Sequence, residues 1–137
     1  MNNIKIDSVV FCEDARAELG GKYTLLGVAS PELMIQSLPA AVPIAIWISG
    51  TPEKQGPFEA ELRAVDEKKN VLLGGKMGGN INGLGKMSIV MGPMQLQVDR
   101  EGIITFEWNF GAKWKKIGDL KFILPKGIEK PISSPSA

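Results

Sequence analysis

The chain has 137 residues, 44% hydrophobic and 23% charged, with no histidine and one cysteine. That length fits a single domain able to bury a core without disulfides or metal. The missing histidine excludes His-based triads, His proton shuttles and His-ligated metals, and Cys12 alone makes neither an internal disulfide nor a Cys₄ zinc site. Sixteen Lys and Arg against 15 Asp and Glu leave a formal charge of +1, too small for a nucleic-acid footprint.

In chain order, MNNIKIDSVV lacks a basic segment followed by a long apolar run, so no signal peptide is expected. Val9–Cys12 and Tyr23–Val28 read as a strand pair joined by Glu13–Lys22, with a turn at Gly20-Gly21. Leu33–Leu38, flanked by prolines, allows no more than a short turn. The longest apolar stretch, Leu38–Ile48, is too short for a membrane span and contains Pro39 and Pro43. Within it Val42–Ile48 is apolar on both faces, which predicts a strand near the middle of a sheet with Pro43 at its start. Turn residues follow at Ser49-Gly50-Thr51-Pro52.

The second half is dominated by a period of two. Phe58, Ala60, Leu62 and Ala64 alternate with Glu59, Glu61 and Arg63. After the Asp66–Asn70 turn, the glycine-rich stretch Gly74–Gly85 reads as either a loop or a bulged strand. Gly92-Pro93 and Glu101-Gly102 read as turns on either side of Leu96 and Val98. Ile104, Phe106, Trp108 and Phe110 then share one strand face, and Leu120, Phe122 and Leu124 another. The pattern predicts an all-β fold, an antiparallel β-sandwich of about seven to nine strands, Greek-key and immunoglobulin- or C2-like. Its expected core draws on Val10, Leu26, Ile46, Leu62, Phe106, Trp108, Phe110 and Phe122. Residues 1–125 form the domain, and 126–137 are expected to be a flexible tail rich in proline and serine.

Few residues invite chemistry. Cys12 stands beside Glu13 and Asp14, which disfavour its thiolate, and is expected to be structural. Asp14, Arg16 and Glu18 fit a small ion-pair cluster fixing the connection, with Gly20 and Gly21 supplying positive φ. As a catalytic carboxylate pair they lack a raised pKa, because Arg16 lowers both; as a calcium site they lack an EF-hand pattern. Gly75-Lys76 and Gly85-Lys86 are each followed by methionine, so neither is a phosphate-binding loop. Lys113, Trp114, Lys115 and Lys116 are expected at a hairpin tip, where they pair cations with an aromatic ring. Met77, Met87, Met91 and Met94 suit either an irregular core or an adaptable binding surface.

The run Val10-Phe11-Cys12-Glu13-Asp14-Ala15-Arg16-Ala17-Glu18-Leu19-Gly20-Gly21-Lys22, with the apolar strand to Val28, resembles the opening signature of an uncharacterised family of small bacterial proteins. Strands like Val42–Ile48, Glu61–Asp66, Gly102–Phe106 and Leu120–Leu124 extend that resemblance, while Gly74–Met94 departs from it. It implies a β-sandwich and brings no activity, cofactor or metal. The expected function is a non-enzymatic binding or assembly module in the cytoplasm, with a protein or a second copy as partner. Nucleic acid and membrane are not expected partners. The alternative is a ligand-binding sandwich for carbohydrate or nucleic acid acting through Lys113–Lys116.

Overall fold

The computed structural model describes residues 4–111 and 113–125; the expected tail lies outside them. Among the described residues there are ten strands and no helix. In chain order they are β1 (Ile4–Cys12), β2 (Asp14–Glu18), β3 (Lys22–Leu26), β4 (Glu32–Met34) and β5 (Ala40–Pro52). They continue with β6 (Gly56–Val65), β7 (Val71–Ile81), β8 (Met87–Val98), β9 (Gly102–Asn109) and β10 (Trp114–Ile123).

Three strands form one sheet in the order β1-β5-β8, and five form another in the order β4-β10-β9-β6-β7. Every pairing is antiparallel except that of β10 with β4. The alternating positions Phe58, Ala60, Leu62 and Ala64 of β6, and Ile104, Phe106 and Trp108 of β9, are all buried. They meet Ile44, Ile46 and Ile48 of β5 and Leu96 and Val98 of β8 in one core. The fold is therefore an all-β sandwich. Its eight packed strands fall within the expected number, and the β2–β3 hairpin adds two more.

That hairpin corrects the reading of Glu13–Lys22 as a plain connection. Asp14–Glu18 pairs in register with Lys22–Leu26, and Gly20 and Gly21 turn the chain at φ of 81° and 76°. Ala15 and Leu25 pack on Cys12, Ala45 and Val90, which covers the outer face of the three-stranded sheet. Leu25 thus points inward, and Leu26, expected in the core, is 45% exposed. Val10 is only half-buried, because its partner across the ladder is Trp47 of the outer face. Val9 and Phe11 face the core instead. The other expected core residues, Ile46, Leu62, Phe106, Trp108, Phe110 and Phe122, are buried.

Two expected turns are strand. Ser49–Pro52 continues β5, and Gly92-Pro93 lies inside β8. There, Ile44 pairs with Met94 and Ile46 with Met91, so two residues of β8 bulge opposite one of β5. Gly92 takes φ of 96° at this point, a value for which glycine suits. β5 is the central strand of its sheet, as its apolar faces predict. Pro43 is tolerated within it because the β1 ladder reaches only as far as Ala45. The Leu33–Leu38 segment contains the end of the short strand β4.

Candidate functional site

The structure separates the residues that the sequence brings together. Arg16 Nε donates to Asp14 Oδ2 at 3.1 Å, while Glu18 lies apart and accepts from Thr24 Oγ1 at 3.0 Å. The expected three-residue cluster is thus one ion pair and one hydrogen bond along the exposed face of β2. Among the described residues no group of three or more His, Cys, Asp or Glu is placed to hold a metal ion. Cys12 is 1% exposed and its thiol donates to the Ala45 carbonyl at 3.6 Å. Burial pushes the thiol pKa up, and the Asp14 charge adds to that shift against a lowering backbone hydrogen bond.

Of the Lys113–Lys116 segment only Lys113 lies in the connection of the β9–β10 hairpin. Trp114, Lys115 and Lys116 belong to β10, opposite Asn109, Trp108 and Glu107 of β9. The Arg63 guanidinium lies 4.0 Å from the Trp114 ring centroid and donates to Glu107 Oε1 at 2.7 Å. That stacking occupies a ring face that a base or sugar would need. Lys116 is paired with Asp119 at 2.7 Å, and Lys113 and Lys115 are exposed.

The feature without a local explanation is on the opposite side of the sheet, where the edges β7 and β8 form the mouth of the sandwich. A cleft of about 270 Å³ opens there, lined mainly by Leu62, Met77, Val90, Met91, Met94 and Trp108, with Glu61 and Lys76 also in its lining. An apolar cavity of about 150 Å³ is large enough to take benzene, so this one accommodates an aromatic side chain. Met77, Met87, Met91 and Met94 are all half-buried and packed on the core. Three of them also wall the cleft, so both uses expected of methionine apply here. The glycine-rich stretch is mostly strand: β7 runs to Ile81, and only residues 82–86 connect it to β8.

The four sheet edges differ in how they are blunted. β4 is three residues long, β1 carries Lys5 and Asp7 beside a register shift, and β8 carries the Gly92-Pro93 bulge. Each is a common protection against edge pairing. β7 has eleven residues, no proline and a single charge, Lys76, and its one irregularity is a register shift at Leu72, near its start. Among the described residues no strand pairs with its outer edge.

No protein-family model and no characterised protein matches the sequence. Among solved structures the chain is similar to a β-glucosidase from Erythrobacter marinus, at 9% identity and a TM-score of 0.42. The match covers 89% of this chain and 16% of that one, so the chain spans a small part of its length. A likeness that slight bears on neither activity nor substrate. Among the described residues, no helix is long and apolar enough to cross a membrane.

Proposed function

We propose that the protein is a non-enzymatic binding or assembly module that engages a protein partner through the open side of its sandwich. The observation behind this reading is the unpaired outer edge of β7, eleven residues long, running beside an apolar cleft. A row of free backbone donors and acceptors is a template for an added strand, and a neighbouring apolar pocket gives such pairing its specificity. The resemblance of the Cys12–Lys22 run to a small bacterial family brings no activity, so the reading rests on this edge. Within it, the chain acts in the cytoplasm, where its one thiol stays reduced.

The test is a photo-crosslinking amino acid placed at Lys76 of the full chain, in the native host, with Lys54 as a control position remote in sequence. The expected result is a discrete adduct of higher mass from position 76 alone. Equal adducts from both positions, or none, would remove the reading.

A further inference from the structure

Methionine that fills a core leaves little room around it, yet three methionines here line one open space. Two come from β8. Met91 and Met94 are three residues apart, a spacing that puts side chains on opposite faces of a regular strand. The Gly92-Pro93 bulge changes that: Met91 pairs with Ile46 and Met94 with Ile44, both core residues, so both methionines turn inward. The third comes from the other sheet. Met77 of β7 pairs with Ala60 of β6, which is also buried, and so shares the same interior. β7 and β8 are the last strands of their sheets and come within 8 Å of each other at Cα. Their three methionines wall the cleft of about 270 Å³ at the mouth. Gly75 lines it too, and nothing lies within 4 Å of a Cβ built there, so the space beside Met77 stays open.

The donors gathered in this cleft are of one kind. A thioether sulfur is neutral, polarizable and soft, and it suits Cu(I), whereas zinc is held by thiolate or imidazole and calcium and magnesium by oxygen. The chain has no histidine. Its one thiol, Cys12, is 1% exposed and packs with Ala15 and Ala45 under the β2–β3 hairpin, away from the cleft. Glu61 and Lys76 also line the cleft; they are neighbours across the ladder and offset each other in charge. One carboxylate is far short of the roughly six oxygens that a hard divalent ion takes. The rotatable methionine side chains let three sulfurs close on one ion, and the mouth gives that ion a way in.

We propose that Met77, Met91 and Met94 form a three-coordinate site for Cu(I) at the mouth of the sandwich. Each sulfur donates a lone pair, and neither metal nor sulfur changes oxidation state. The site goes beyond the protein-binding reading and stands independently of it.

The test is an anaerobic competition between the full chain and the coloured Cu(I) chelator ferrozine, with Cu(I) supplied as its acetonitrile complex. The chain should withdraw one Cu(I) from the chelator. Met77→Leu, Met91→Leu and Met94→Leu should each weaken binding at least tenfold. Leucine nearly conserves the volume of methionine, so these variants should keep the fold, which thermal melting checks. Met34→Leu, on the exposed far edge of the five-stranded sheet, and Cys12→Ala should both keep wild-type affinity. With Ag(I), a soft monovalent ion of the same preference, the methyl NMR signals of Met77, Met91 and Met94 should shift while those of Met34 and Met87 stay. Four results would each overturn the proposal: no transfer of Cu(I) at micromolar chain, unchanged affinity in the Met91→Leu/Met94→Leu double variant, loss of binding in Cys12→Ala, or shifts at Met34 as large as those in the cleft.

Discussion

Gly75→Val should make the protein more stable, an uncommon outcome for a substitution in a packed sheet. The position lies inside β7, outside the positive-φ region, with nothing within 4 Å of an added Cβ. Removing a mid-strand glycine regains about 0.5–1 kcal/mol relative to alanine. Replacing alanine by a β-branched residue adds a further fraction of the roughly 1 kcal/mol span of strand preference. Methyl groups set against the cleft wall contribute part of the ~0.8 kcal/mol that full burial of each would give. The total is about 1.5 kcal/mol, or about 4–8 °C in a domain of this size. Urea unfolding followed by tryptophan fluorescence measures it, since Trp108 is buried beside the cleft. Gly50→Ala is the contrast. Its Cβ would lie 2.6 Å from Ile4 Cγ2 and 2.7 Å from the Lys5 carbonyl oxygen, at a buried position near the end of β5. Overpacking of that kind costs about 1–3 kcal/mol. A Gly75→Val protein destabilised by 1 kcal/mol or more would refute the claim that the space at this position is open.

Three further outcomes follow from the geometry. Asp66 accepts the backbone N–H groups of Lys68 and Asn70, each at 2.9 Å, and the Asn70 side-chain amide at 3.1 Å. The Asn70 backbone bond is the largest cause holding its carboxyl below the ordinary range. A carboxyl lowered on folding adds stability above its unfolded pKa of about 3.9, and that stability is lost as pH falls through the folded value. Asp66→Asn should therefore lower the melting temperature at pH 7, with the gap to wild type closing as the pH falls below the unfolded pKa of about 3.9; a constant gap would contradict this. Cys12 should resist Ellman's reagent in the native chain and react at the rate of unfolding, and rapid native labelling would contradict its burial. Arg63→Lys should destabilise nearly as much as Arg63→Ala, about 1 kcal/mol by chemical denaturation, because an ammonium cannot lie flat on Trp114 while donating to Glu107 as the guanidinium does; full retention of stability in the lysine variant would contradict it.

Much of the fold was legible because burial on one face of a sheet writes a period of two into the chain. Phe58–Ala64 and Ile104–Phe110 show that period without interruption, and all their apolar members are buried. Gly92-Pro93 was misread because a bulge and a turn use the same residues, and only the β5 register tells them apart. Leu26 was misplaced because β3 sits in an outer hairpin whose inward face depends on the sheet beneath it. The same limit applies to the site. Methionines 77, 91 and 94 stood out by type, but their meeting around Gly75 depends on how the two sheets pack. Trp114 likewise looked accessible until Arg63, 51 residues earlier, was found stacked on it.

The central claim is that β7 is an open edge, and amide hydrogen exchange on the dilute full chain tests it most directly. In an edge strand only the amides that point to β6 are protected, so protection along the regular ladder Leu73–Ile81 should alternate, with every second amide exchanging rapidly. β9, held between β6 and β10, should be protected throughout. Uniform protection of β7 at the level of β9 would mean that the edge is already covered, and would contradict the account.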